Sequence, residues 1–208
     1  MLNKQIFPFG FINITAPTSA GKTTLIKAFR GRFPSSIDFS KSCTTRDLTE
    51  KEIEEGLYES VSVAEFLLRI QENLFLEWNK LKSNDQYYGT LLSEYYRIKN
   101  AGKIVIGDLD NNGARDAKKI LGDDIYNVYL MLTEGELRRR MFLPESRVRD
   151  NPEKRLAYAV EENKFATENK GTIFDLILPY DHRSPSEAIT QIISQMRKKA
   201  ARLLAQNS

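Results

Sequence analysis

Residues 15 to 24, Thr-Ala-Pro-Thr-Ser-Ala-Gly-Lys-Thr-Thr, combine small side chains with a Gly-Lys-Thr ending, and the chemistry open to such a segment is phosphate binding. The apolar run Phe11-Ile12-Asn13-Ile14 precedes it, and the amphipathic run Leu25-Ile26-Lys27-Ala28-Phe29 follows. A strand that enters a loop of small residues and leaves it as a helix turns backbone N–H groups inward. The helix N-terminus adds about half a positive charge. Lys22 is placed to reach the outer phosphates, and the Thr23 hydroxyl to hold Mg²⁺. Ala16 stands where such loops usually begin with glycine; it keeps the small size and gives up some backbone freedom. The candidate phosphate-binding residues are Ala16, Pro17, Thr18, Ser19, Ala20, Gly21, Lys22, Thr23 and Thr24.

The elements that must position this loop follow from composition and pattern. A chain of 208 residues is expected to form one domain, with room for a small mobile subdomain. Cys43 and His182 are the sole cysteine and histidine, which excludes a disulfide framework and a Cys/His zinc site. No window of about 18 apolar residues is present and the N-terminus lacks a signal-like apolar core, so the expected compartment is the cytoplasm, with no membrane partner. Net charge is +3, with basic clusters at Arg138-Arg139-Arg140, at Arg147 and Arg149, and at Arg197-Lys198-Lys199. No recognition motif accompanies them, so nucleic acid is not the expected partner; the excess suits an enzyme that handles several phosphates. Nothing in the pattern speaks for an oligomeric state.

Short β-rich runs alternate with helical stretches, which predicts an α/β fold with a largely parallel sheet. Core strands are expected at Phe11–Thr15, Ile37–Ser40, Ile104–Gly107, Ile125–Leu132 and Phe174–Leu178. Helix starts are marked by the capping-box patterns Ser62…Glu65, Thr133…Glu136 and Ser184…Glu187, and by Asn151-Pro152. Between residues 41 and 88 the texture turns polar, with aromatics at Tyr58, Phe75, Trp78, Tyr87 and Tyr88, and predicts a smaller inserted lobe. The core then comprises residues 1–40 and 89–208. Residues 138–155 hold six arginines with Pro144 and Pro152, the composition of a mobile lid.

The phosphate loop alone fits ATPases, GTPases and small-molecule kinases. No Asn-Lys-x-Asp motif supports a GTPase. A second set of residues decides among the rest: Ser42-Cys43-Thr44-Thr45-Arg46, Leu76-Glu77-Trp78, Tyr87-Tyr88-Gly89-Thr90 and Gly107-Asp108-Leu109-Asp110-Asn111-Asn112-Gly113. In that order and spacing, from about Ile12 to about Leu178, the chain closely resembles guanylate kinase, which transfers a phosphoryl group from ATP to GMP. The resemblance implies the P-loop kinase fold of core, GMP-binding lobe and lid, with ATP and GMP as substrates and Mg²⁺ as cofactor.

It also implies roles. Guanine offers N1–H and a 2-amino group as donors and O6 as acceptor, and a carboxylate at Glu77 accepts the two donors side by side. Ser42 and Thr90 hydroxyls donate to O6, and Asp110 takes the remaining amino proton. Arg46, Tyr58 and Tyr88 correspond to the grip on the GMP phosphate. Asp108, at the end of an apolar strand, holds Mg²⁺ through water, beside Thr23. With Lys22, the arginines Arg140, Arg147 and Arg155 correspond to those that neutralise the transferring phosphoryl. The chain also departs from the pattern. Thr49 replaces a second phosphate-gripping arginine, Met141–Glu145 lacks the expected Arg-Gly, and Leu57-Tyr58-Glu59-Ser60 keeps only the tyrosine of Asp-Tyr-x-Phe. Pro179-Tyr180-Asp181 replaces an Asn-Asp pair near the adenine, and His182 reads as a surface residue. Two alternatives stand beside GMP phosphorylation: a kinase of this fold acting on another phosphorylated acceptor, and a non-catalytic guanylate-kinase-like binding domain.

Overall fold

In the computed structural model, which describes residues 9–81, 85–143 and 151–206, the first half of the chain runs β1 (Phe11–Thr15), α1 (Lys22–Arg32), β2 (Ile37–Phe39), β3 (Ser42–Thr44), α2 (Glu50–Glu55), β4 (Tyr58–Ser60), α3 (Val63–Gln71), β5 (Phe75–Lys80), β6 (Tyr87–Leu91) and α4 (Leu92–Asn100). It continues with β7 (Ile104–Gly107), α5 (Asn111–Leu121), β8 (Ile125–Met131), α6 (Glu134–Met141), α7 (Pro152–Glu168), β9 (Leu176–Pro179) and α8 (Pro185–Gln206).

Five strands form a sheet in the order β2-β7-β1-β8-β9, and every neighbouring pair is parallel. A parallel sheet is covered on both faces, so its strands read as nearly continuous apolar runs. All five residues of β1 are buried. Its side chains alternate between the two faces. Ile12 and Ile14 pack with Leu25 and Phe29 of α1 and with Ile189, Ile192 and Met196 of α8. Phe11 packs on the opposite face with Tyr95 and Ile98 of α4 and Ala117 of α5.

Expected and observed strands agree at Phe11–Thr15 and Ile104–Gly107, and within one residue at the ends of β2 and β8. The last strand begins at Leu176 instead of Phe174. Phe174 makes only an isolated bridge to Lys170, because the turn after α7 uses its carbonyl to accept from Gly171 N at 2.8 Å. Helix starts are also where the pattern predicts them. Ser62, Thr133, Asn151 and Ser184 each accept from the backbone N–H three residues on. At Ser184 the Glu187 carboxylate returns the bond at 2.9 Å, whereas the Glu136 carboxylate turns to Arg139 and Arg140.

A second sheet, ordered β4-β3-β6-β5, spans Ser42 to Leu91. Only β3 and β4 are parallel; the other two pairs are antiparallel. Its small core holds Cys43, Val61, Phe66 and Phe75, with the Phe66 and Phe75 rings stacked at 4.4 Å. Leu76 ties this sheet to the main one by packing among Phe11, Tyr95 and Leu109.

Candidate active site

The loop after β1 is shaped by two left-handed backbone positions, Ser19 with φ of 67° and Gly21 with φ of 92°. Gly21 occupies that region without a steric penalty; Ser19 does so at a cost of the kind that clusters at functional loops. Ala16 keeps a negative φ, so the missing first glycine costs this loop no backbone strain. Gly21 is the N-cap of α1, whose first turn carries no acidic residue, and the positive helix end stays uncompensated within the helix. Thr23 and Thr24 are exposed in that turn. Lys22 leans toward the neighbouring strand. Its Nζ donates to the Asp108 carbonyl at 2.9 Å and lies 3.7 Å from Asp108 Oδ2.

Asp108 and Asp110 flank Leu109 just beyond the end of β7, where the chain leaves the sheet. Leu109 is buried, so its backbone groups need partners. Side chains of β1 supply both. Asn13 Oδ1 accepts from Leu109 N, and Thr15 Oγ1 donates to Leu109 O, each at 2.9 Å. Asn13 Nδ2 in turn donates to Thr15 Oγ1 and to Asn127 Oδ1 of β8, at 2.9 and 3.0 Å. Asn13, Thr15 and Asn127 are all buried. The strand that launches the phosphate loop thereby also places the two aspartates.

A pocket of about 190 Å³ opens between the sheets, lined by Ser42, Tyr58, Glu77, Tyr88, Thr90, Asp108 and Asp110, together with Asn79, Leu81, Gly89 and Leu109. It brings together six of the seven residues expected to bind GMP. Glu77 reaches it because β5 shifts register between Phe75 and Glu77, so that Phe75 and Leu76 are both buried and Glu77 turns to the pocket. Glu77 pairs with Thr90 across the strands. Gly113 in the first turn of α5 makes the space: a Cβ there would sit 3.1 Å from Glu77 Oε2. Burial is the main cause that pushes the Glu77 carboxyl up to about 7. Asp110 and Asp108 add to the rise, and the Thr90 hydroxyl bond opposes it.

Arg46, the seventh, borders the pocket through its neighbours. Its guanidinium lies over the Tyr58 ring, 5.3 Å from the centroid, and forks onto Glu52 at 2.9 and 2.5 Å. That ion pair holds the Glu52 carboxyl down to about 2. Thr49 completes the arrangement as N-cap of α2. Its hydroxyl accepts from Glu52 N at 3.3 Å and donates to Glu52 Oε2 at 2.9 Å, and its own N–H donates to the same oxygen at 3.0 Å.

A larger cleft of about 670 Å³ joins Thr18 of the phosphate loop to Asp110 and Asn111 and to α7, from which Arg155 and Glu162 face it. Glu162 was not among the expected residues. Burial pushes its carboxyl up to about 7, against the opposing pull of Lys22. Asn79 was also missed; its Nδ2 donates to Asp110 Oδ2 at 3.2 Å. Arg140 is occupied as a brace. It donates from Nη1 to Ala20 O at 2.9 Å, from Nη2 to Asp181 O at 2.8 Å and from Nε to Glu136 at 2.6 Å, which ties the phosphate loop to the segment after β9. Tyr180 is buried beneath the same loop, its ring 3.6 Å from where a Gly21 Cβ would stand. Arg147 lies outside the described residues. Among the described residues no group of three or more His, Cys, Asp or Glu side chains could cage a metal ion. The oxygens of Thr23 and Asp108 are the hard donors that suit Mg²⁺ shared with phosphates and water.

A family model described as guanylate kinase matches residues 11–198. The chain belongs to this family. It is 33% identical over 182 residues to a guanylate kinase of Campylobacter jejuni, covering 86% of this chain and 85% of that one. With a guanylate kinase of Porphyromonas gingivalis it shares 31% over 195 residues, 93% and 97% of the two chains. The crystal structure of guanylate kinase from Anaplasma phagocytophilum matches the fold with a TM-score of 0.63 at 19% identity, over 94% of this chain and 89% of that one. A gluconokinase from Sinorhizobium meliloti matches with a TM-score of 0.53 at 12% identity, over 97% and 99%. These two likenesses speak for the α/β kinase fold alone. Among the described residues no helix is long and apolar enough to cross a membrane. In this chain, then, Thr49 does not stand idle where a second arginine was expected: it caps the helix whose Glu52 holds Arg46.

Proposed function

We propose that this chain phosphorylates GMP to GDP with ATP, using the small pocket for GMP and the loop that carries Lys22 for the ATP phosphates. The observation that carries the reading is the convergence of Ser42, Glu77, Thr90 and Asp110 on one pocket beside the Lys22 loop. Their hydrogen-bonding types complement guanine: two carboxylates for N1–H and the amino group, two hydroxyls for O6. An adenine base would meet the same carboxylates with its N1 acceptor and be repelled.

On this reading residues 41–88 are the acceptor lobe and residues 138–155 the lid, set on a core of residues 1–40 and 89–208. Backbone N–H groups within the loop of residues 16–24 cradle the ATP phosphates, Pro17 having none to offer, and Lys22 lends its charge to the outer two. Thr23 and Asp108 would hold Mg²⁺, Asp108 through water, and the ion would supply charge neutralisation at the transferring phosphates. The nucleophile is a GMP phosphate oxygen, anionic at neutral pH, so no strong general base is required. Catalysis is in-line positioning and charge neutralisation, with Arg155 from α7 and Arg147 from the lid drawn to the phosphoryl group and water excluded on closure. Arg46 with Tyr58 and Tyr88 grips the acceptor phosphate, and Arg140 serves by bracing the Ala20 carbonyl. The cytoplasm is the proposed compartment, where both nucleotides are at hand.

Coupled ADP formation with GMP, AMP, UMP and CMP as acceptors tests the reading. GMP is expected to support turnover at least about a hundredfold faster than the others, a lower bound for a site that discriminates by hydrogen bonds. A preference for another acceptor overturns it.

A further inference from the structure

Glu77 and Asn79 are two residues apart on β5 and line the same pocket, as the alternation of a strand requires. The proposed function uses Glu77 and leaves Asn79 without a task. Asn79 Nδ2 donates to Asp110 Oδ2 at 3.2 Å, while Asp110 Oδ1 accepts from Gly113 N at 2.7 Å as the N-cap of α5. Each oxygen of this exposed carboxylate is thus held by a donor from a different element, a strand of the second sheet on one side and the α5 turn on the other. A carboxylate with one anchor swings about its terminal torsion, which is broad; with two it has one orientation. The choice of an amide matters too. Glu77, Asp108 and Asp110 share the pocket, so a neutral donor orients Asp110 without cancelling the negative charge that a base's donors require.

We propose that Asn79 is a positioning residue for base selection. It fixes the Asp110 carboxylate to accept the second proton of a 2-amino group, and so sets the preference for a purine monophosphate carrying that group over one that lacks it. The inference rests on the GMP reading above. Its sharpest probe is IMP, whose base keeps N1–H and O6 and replaces the amino group by C–H. Contacts of Ser42, Thr90 and the N1 partner are common to both acceptors; only the amino contacts differ.

The experiment compares kcat/KM for GMP and for IMP at saturating ATP in the wild type, Asn79→Ala, Asp110→Ser and the double variant. Serine at 110 still caps α5 while withdrawing the carboxylate. Asn79→Ala is expected to lower kcat/KM for GMP about three- to tenfold, through KM, the net worth of one ordinary hydrogen bond. IMP should change less than twofold, so the GMP:IMP ratio falls by the same factor as GMP. In the Asp110→Ser background Asn79→Ala should have no further effect, since the residue acts through Asp110. Equal losses for both acceptors would reduce Asn79 to a structural residue and overturn the proposal. So would unchanged constants for both, or losses at 79 and 110 that simply multiply. Failure of the GMP reading itself is seen separately, as a wild type that does not prefer GMP to IMP.

Discussion

On the proposed reading, the two halves of the site recognise phosphate and base by different means. At the donor loop that reading relies on backbone: Ser19 and Gly21 stand in the left-handed region, and Lys22 is the one charged side chain of the segment. At the acceptor pocket every candidate group is a side chain, and three of them are held by another group. Arg46 is held by Glu52, Glu77 by Thr90, and Asp110 by Asn79 and Gly113. A backbone cradle needs only the right dihedral angles, so Ala16 replaces glycine there without strain. A site of paired side chains ties each residue's meaning to its partner. The departures at Thr49 and around Tyr58 therefore have to be read together with the side chains they contact.

The comparison is broken most severely by Lys22→Ala. With backbone doing the rest, no other side chain of the loop can supply the lost charge, and turnover should fall by at least about a hundredfold. Lys22 is partly exposed and outside the core, so the thermal transition should stay in place. ADP formation near the wild-type rate would mean that the loop does not carry the donor phosphates.

Glu77→Gln probes the other half and should cost about ten- to a hundredfold in kcat/KM for GMP, as one accepting oxygen becomes a donor facing N1–H. The pH dependence sharpens this. Because burial and the neighbouring aspartates raise the carboxyl to about 7, Glu77 is half protonated at neutral pH in the empty pocket. Only the ionised form accepts both donors, so kcat/KM for GMP should climb as pH rises toward and through 7. The acceptor's own phosphate ionises near pH 6, and the Glu77→Gln profile, which retains only that step, is the control. Stability runs the opposite way. A folded-state pKa raised above the unfolded value contributes stability that is present at low pH and lost as pH rises from about 4.5 through 7. The substrate-free Glu77→Gln protein should therefore melt higher than wild type at pH 8. A wild-type profile that parallels the variant's would show that Glu77 does not titrate in this window.

Much of the donor half was legible because it is local. A strand, a small-residue loop and a helix start are contiguous, and the buried runs of β1 and β7 read as strands from apolar content alone. The acceptor residues were legible as a set only through four motifs in register. What stayed hidden depends on separation in sequence. Asn79 gains its meaning from Asp110, 31 residues away. Glu162 gains its meaning from Lys22 and Asp110, which α7 meets only in the fold. The Asn13–Asn127 bond joins residues 114 apart across two strands, and an asparagine inside an apolar run signals only that a partner must exist. Thr49 is the instructive miss. Thr49 and Glu52 have capping-box spacing, yet against the family pattern the segment stands out for what it lacks, an arginine.

Thr49→Arg tests that last point and should have the smallest effect. Arginine cannot accept from Glu52 N, so the α2 cap is lost, and the melting temperature should fall by about 2–4 °C, the usual consequence of losing such a cap in a domain of this size. The new guanidinium then has two destinations. It can turn to the acceptor phosphate directly, or it can compete for Glu52 and release Arg46, whose fork is occupied by that carboxylate in the substrate-free protein. Either way the acceptor phosphate gains an available charge, and KM for GMP should drop by up to about tenfold, with KM for ATP unchanged. Combining it with Glu52→Gln separates the routes. If the introduced guanidinium works by releasing Arg46, Glu52→Gln alone lowers KM and the second substitution adds little; if it binds the phosphate itself, the two gains accumulate. A lower melting temperature with an unaltered KM would leave Thr49 with the cap as its whole role. The acceptor phosphate would then be gripped by Arg46 and the tyrosines alone.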